Sequence, residues 1–192
     1  MKKFIAVAAV LLLACAIASA QFHISLGYAR AWDLKVIDTS LNSSGVIADS
    51  ERYNGFSAGA GYSFKLADGL FLTPGVNYLL IRGRRTFIPE ERVKTEHFIN
   101  VPLHLSYDIA FAPGVKFFVF AGPTASMLFS TGNPEFRRQK SFDILAGGGA
   151  GLKFVDKFCL RAGYDYGLFN SSNYNFFTLH RSRLNISLAY LF

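Results

Sequence analysis

Cysteine is almost absent from this 192-residue chain, which has two, and charged residues make up only 17% of it. One cysteine, Cys15, lies in the N-terminal apolar stretch. Once that stretch is removed a single thiol, Cys159, remains, so an intramolecular disulfide is excluded even in an oxidising compartment. The four histidines and this thiol lack close ligand spacing, and neither a metal centre nor a cofactor is expected. Helical periodicity is missing after Gln21. Gly147-Gly148-Gly149 is followed by no Lys-Ser/Thr and opens no helix, so it is not a phosphate loop. His97 is the one residue that suggests catalysis, but no serine with an acidic orienter shares its face. The chain is therefore expected not to be an enzyme.

What is present begins with an export signal. Lys2 and Lys3 precede an apolar run from Phe4 to Ala14, and Ala18-Ser19-Ala20 forms a small-residue cleavage site. The run is too short for a spanning helix, which needs about 20 apolar residues. Residues 1–20 are thus expected to be a cleavable signal and 21–192 one domain. Leu12-Leu13-Ala14-Cys15 offers a second route, in which Cys15 is lipidated. The formal charge is +7, to which Lys2 and Lys3 contribute two. For an exported chain this favours anionic lipid or lipopolysaccharide phosphates over nucleic acid.

The rest alternates. Eight segments place apolar residues opposite small or polar ones, as in Phe56-Ala58-Ala60-Tyr62-Phe64 against Gly55-Ser57-Gly59-Gly61-Ser63. Twenty Phe, nine Tyr and seventeen Gly suit such strands. Long polar connections near 34–53, 83–94, 130–140 and 170–181 alternate with short turns at Asp68-Gly69, Pro113-Gly114 and Asp156-Lys157. This pattern predicts an all-β fold: an eight-stranded antiparallel up-and-down transmembrane barrel with short periplasmic turns and longer extracellular loops. Both termini are then periplasmic. A soluble barrel would also alternate, but its polar face would carry many Lys and Glu. Here that face is mostly Gly, Ser, Ala and Asn, which suits a narrow interior filled by side chains. Phe22, Phe64, Tyr107, Phe117, Phe154, Phe158 and Phe192 are expected to form the periplasmic aromatic girdle. Pro74, Pro102 and Pro123 fall inside strands and should mark local breaks, since proline cannot donate to a ladder.

The run Leu184-x-Ile186-x-Leu188-x-Tyr190-x-Phe192 resembles the terminal strand of outer-membrane barrels. Ile99-Asn100-Val101-Pro102-Leu103, Phe120-Ala121-Gly122-Pro123, Asp143 with Gly147 to Gly151, and Tyr164-Asp165-Tyr166-Gly167-Leu168 add to it. Together they resemble the PorT-like outer-membrane β-barrel family common in Bacteroidetes. Arg181-Ser182-Arg183 stands where that family often has Asn-Arg. The resemblance implies the fold, the outer membrane as location, and recognition of the strand ending at Phe192 by the barrel assembly machinery. It implies no settled activity, although some members are linked to protein secretion.

Two groups of charged residues remain. Inward-facing His23, Lys65, Glu96, His104, Asp108, Asp143, Lys153, Arg161 and Asp165 either line a narrow path or plug it, and interior width favours the plug. The connections carry basic clusters, of which Arg84, Arg85, Arg137, Arg138, Arg181 and Arg183 are the candidate binding residues for lipopolysaccharide phosphates. The expected function is a structural or interaction scaffold displaying loops to lipopolysaccharide or to an envelope or secretion partner. The alternative is a narrow channel for small or hydrophobic solutes, and a lipid-modifying enzyme ranks third.

Overall fold

The computed structural model describes residues 20–37, 50–85, 92–131, 141–169 and 177–192, with side chains for 20–32, 53–83, 95–130, 141–169 and 180–192. The expected signal at 1–20 lies almost wholly outside the described residues, as do Arg137 and Arg138. Eight strands follow one another: β1 (Gln21–Ile37), β2 (Ser50–Ala67), β3 (Leu70–Arg85), β4 (Arg92–Ala112), β5 (Val115–Thr131), β6 (Phe142–Phe154), β7 (Phe158–Gly167) and β8 (Phe177–Leu191). Each pairs antiparallel with the next, and β8 pairs with β1, so the sheet closes into an up-and-down barrel. Followed around all eight ladders, the register returns to β1 about ten residues further on, which for eight strands gives a tilt of about 40°.

Alternation decides which side chains face in. On β4, Val101, Leu103, Leu105 and Tyr107 are exposed, while Asn100, Pro102, His104 and Ser106 between them are buried. About thirty large apolar side chains are exposed in this way around the barrel. A water-soluble surface does not carry such a continuous apolar belt; a hydrocarbon-facing one does.

Ring contacts run without interruption from Phe64 to Tyr62 (6.3 Å between centroids), Phe22 (5.1 Å), Phe192 (5.5 Å), Tyr190 (4.8 Å) and Phe158 (5.4 Å). This string crosses β2, β1, β8 and β7 at the short-turn end. Toward the other end lie Tyr28 with Phe56, Trp32 with Tyr164, and Tyr78 with His97 and Phe129. Two aromatic levels flanking an apolar band are the mark of a bilayer-spanning barrel.

The short turns follow from their residues. Gly69 and Gly114 have φ of 76° and 74°, which glycine adopts without steric penalty. In the third turn Val155 and Asp156 occupy the two central positions, at φ 51° and 53°, closed by Lys157 N donating to Phe154 O at 3.0 Å. The turn therefore sits one residue earlier than the sequence suggests. Lys116 Nζ bonds Asp156 Oδ1 at 2.7 Å and Gln21 Nε2 donates to Asp156 O at 3.2 Å, fixing this turn to β5 and β1. In the first turn the Lys65 ammonium, hydrogen-bonded to Asp68, holds that carboxyl below its ordinary range.

The prolines do break ladders. Pro74 pairs with Leu103 of β4, but its β2 ladder is interrupted between Gly61↔Gly75 and Phe64↔Leu72. Pro102 pairs with Thr124 of β5, and its β3 ladder is interrupted between Pro74↔Leu103 and Asn77↔Asn100. Pro123 pairs with Ala146 of β6, and its β4 ladder is interrupted between Pro102↔Thr124 and Leu105↔Ala121. Each proline keeps one ladder and loses the other, as expected where a single donor is missing. The register is unchanged across all three gaps; bulges occur elsewhere, at Lys65/Ala67, His97/Phe98 and Ala110/Ala112.

Candidate functional site

The interior is where chemistry-bearing side chains converge, in three levels along the axis. At the long-loop end, Arg183 of β8 crosses to the far wall. Its Nη1 donates to Asn100 Oδ1 on β4 at 2.9 Å and its Nη2 to Ser126 Oγ on β5 at 3.1 Å. The guanidinium stacks over Phe98, 4.4 Å from the ring centroid, and Arg181 lies over the same ring at 5.3 Å. Glu96 and Asp143 are buried at the same end.

At mid-height, Arg161 of β7 reaches His104 of β4, with Nη2 2.6 Å from Nδ1. A guanidinium has only donors, so His104 Nδ1 accepts and the proton sits on Nε2, which faces Thr124 Oγ1 at 3.4 Å. Arg161 also stacks on Phe120 at 3.5 Å, and Asn185 donates to Asp165 at 2.8 Å nearby. At the short-turn end, Lys153 of β6 reaches both oxygens of Asp108 on β4, at 2.9 and 2.6 Å.

Glycines make this filling possible. A Cβ on Gly149 or Gly163 would stand 2.7 Å from the Phe120 ring, and one on Gly151 would stand 2.4 Å from Phe118. The glycine run of β6 thus accommodates two aromatic rings inside a narrow cylinder. Between the upper and lower cross-links remains a cavity of about 130 Å³, lined by His23, His104, Phe120, Arg161 and Asp165 among others.

Most of the expected inward residues take those places: His23, Glu96, His104, Asp108, Asp143, Lys153, Arg161 and Asp165 lie inside. Lys65 does not; it is exposed and pairs with Asp68 at 2.7 Å beside the first turn. The loop-cluster placement of Arg181 and Arg183 is corrected. They are 3% and 2% exposed, inside the barrel, because β8 begins at Phe177 and their parity matches inward Asn185 and Ser187. Arg84 and Arg85 end β3, with side chains outside the described residues. His97 faces outward, with Tyr78 Oη 2.6 Å from its Nδ1, in the aromatic cluster with Phe129. Ser126, Thr124 and Phe118 were not singled out from the sequence, and Asn100 and Phe120 stood out there only as parts of motifs, although the same alternation turns each of them inward.

Residues 19–173 match the family described as "Outer membrane protein beta-barrel domain". No curated protein matches the sequence. Among solved structures, the neisserial surface protein A resembles this chain with a TM-score of 0.53 at 17% identity, covering 89% of this chain and 97% of its own. The attachment invasion locus protein Ail of Yersinia pestis, crystallised with the heparin analogue sucrose octasulfate, aligns at 15% identity, TM-score 0.46, over 90% and 99%. The outer membrane enzyme PagL aligns at 14% identity, TM-score 0.46, over 83% and 97%. The expectation that the chain is not an enzyme is thereby corrected. The lack of a recognisable triad in the sequence does not by itself exclude catalysis, and enzymatic status is open.

Proposed function

The chain belongs to the outer membrane protein β-barrel domain family, and from that premise we propose that it is a structural and interaction scaffold whose loops meet lipopolysaccharide or an envelope partner. The observation that carries this reading is the axial filling. Arg183 to Asn100 and Ser126, Arg161 to His104, and Lys153 to Asp108 link separated walls at three heights. An eight-stranded barrel has room for side chains and little else.

The short turns and both termini face the periplasm in this reading, and the long connections face outside. Residues 1–20 are removed on export, unless Cys15 is lipidated instead. Arg84, Arg85, Arg137 and Arg138 are the loop cations for lipopolysaccharide phosphates; Arg181 and Arg183 serve the interior. The barrel assembly machinery takes up the strand ending at Phe192. The PorT-like resemblance, with its link to secretion, rests on the sequence motifs.

The test is conductance in planar bilayers together with lipopolysaccharide binding. A silent barrel that loses binding when the four loop arginines become glutamine supports the scaffold. Discrete, reproducible channel events would sink it in favour of a narrow channel, a reading that the polar cavity at mid-height favours.

A further inference from the structure

Two features described separately above occupy the same height. The gaps left by Pro74, Pro102 and Pro123 lie in three consecutive ladders, β2–β3, β3–β4 and β4–β5, and form one stepped line across the wall. The residues in that line, Thr73, Gly75, Pro102 and His104, also line the cavity. Behind them Arg183 and Lys153, which make the upper and lower cross-links, also line the cavity. The wall of this chamber is therefore short of interstrand hydrogen bonds on the side that faces lipid.

A broken ladder inside a bilayer leaves carbonyls that hydrocarbon cannot satisfy, and it is tolerated where the backbone borders a polar cavity. Leu103 illustrates the local chemistry. Its partner at the gap is the donor-less Pro123, and its carbonyl oxygen lies so close to Gly122 that a Cβ there would stand 2.1 Å away.

The chamber also holds an incompletely used cation. Arg161 carries five N–H donors, yet among the described residues its only hydrogen bond is to His104, and its face is covered by Phe120. His104 is itself part of the gapped wall, so the guanidinium extends from β7 to the broken line. A planar fork in a low-dielectric chamber suits a carboxylate, which it binds in bidentate fashion. His23, whose Nδ1 is buried without a hydrogen-bond partner among the described residues, lines the same space.

We propose that this chamber binds the carboxylate head of a single-chain amphiphile, with Arg161 holding the head and the chain leaving through the gapped β3–β4–β5 wall into the bilayer. Entry is lateral, because both axial routes are cross-linked. The apolar chain stays among Pro102, Gly75 and the lipid-facing Pro74 and Pro123. The inference rests on the axial closure proposed above, and it adds a ligand class and a direction of entry.

The test uses full-length protein in phosphatidylcholine vesicles, with dodecanoate labelled with carbon-13 at its carboxylate as the probe and acetate as its water-soluble counterpart. Carbon NMR should show a saturable bound resonance for dodecanoate and none for acetate at equal concentration. Arg161→Gln should weaken binding by about tenfold or more, as loss of a bidentate charge-assisted pair predicts. Pro74→Val with Pro123→Val restores two donors to the gapped wall and should slow exchange of the bound probe several-fold. This pair keeps the question answerable if Arg161→Gln does not fold. The proposal is overturned if acetate binds equally, if no bound resonance appears, or if the proline variant exchanges as fast as the parent. Channel events in planar bilayers would remove the axial closure but would not touch the bound resonance, so the two failures are distinguishable.

Discussion

Lys153 and Asp108, 45 residues apart in sequence, meet inside the barrel with the ammonium 2.9 and 2.6 Å from the two carboxylate oxygens. Both side chains are about nine-tenths buried, and the Lys153 ammonium lies 4.6 Å from the Phe71 ring centroid and 5.3 Å from that of Phe118. Removing one member leaves an uncompensated charge in a low-dielectric interior. Lys153→Met should therefore destabilise the barrel by about 3–5 kcal/mol. The double change Lys153→Met with Asp108→Leu should recover most of that loss. Urea unfolding from lipid vesicles measures both, and equal losses in the single and double variants would refute the pairing.

The second expectation concerns Gly149. An added Cβ would fall 2.1 Å from Ala162 O and 2.7 Å from the Phe120 ring. The first contact is with backbone that cannot yield, so Gly149→Ala should cost about 1–3 kcal/mol or more as overpacking. Gly114, beside which an added Cβ meets nothing within 4 Å, is the control for space, although its φ of 74° also penalises alanine. Temperature-dependent loss of the fast-migrating unboiled gel band ranks the two. Gly149→Ala should melt lower.

The Val155-Asp156 turn is expected to be improvable. Two left-handed residues at a two-residue hairpin favour Asn-Gly, and a β-branched residue there is strained. Val155→Asn with Asp156→Gly should stabilise by about 1 kcal/mol. Part of that gain offsets the lost Lys116–Asp156 pair, whose partners are exposed. An unchanged or lower unfolding midpoint would mean that the fixed turn carries no removable strain.

Phe192 closes the aromatic string with Phe22 and Tyr190, and its N–H donates to Phe22 O at 2.9 Å. Phe192→Ala keeps the backbone bond and removes the ring. It should lower the fraction of folded barrel recovered from outer membranes several-fold while leaving soluble precursor behind. Quantifying heat-modifiable protein in membrane fractions checks this, and full recovery would remove any role for the ring in assembly.

Strand count, strand order and face assignment were legible because lipid outside and small side chains inside impose a period of two on every membrane-crossing segment. The strand ends were not. β8 begins at Phe177, well before Leu184, and β4 begins at Arg92. Beyond the bilayer both faces meet water, and the alternation that marks a strand disappears although the ladder continues. Arg181 and Arg183 were misplaced for a different reason: three polar residues in a row read as loop, although their parity turns both cations into the barrel interior. The proline gaps were legible as missing donors. Their alignment into one line beside Arg161 was not, because it depends on the registers of three ladders and on a side chain from the opposite wall.

One ladder differs from the other seven. All the others join strands adjacent in the chain, but β1 pairs with β8 from His23↔Leu191 to Ile37↔Phe177. Hairpins can zip up in order as the chain is delivered, yet the sheet keeps two unpaired edges until its last residues arrive. Biogenesis is therefore all-or-nothing. A polypeptide that stops short of β8 presents two sticky edges to its neighbours instead of one missing strand, and the closing step, with its long sequence separation, is expected to set the pace of folding.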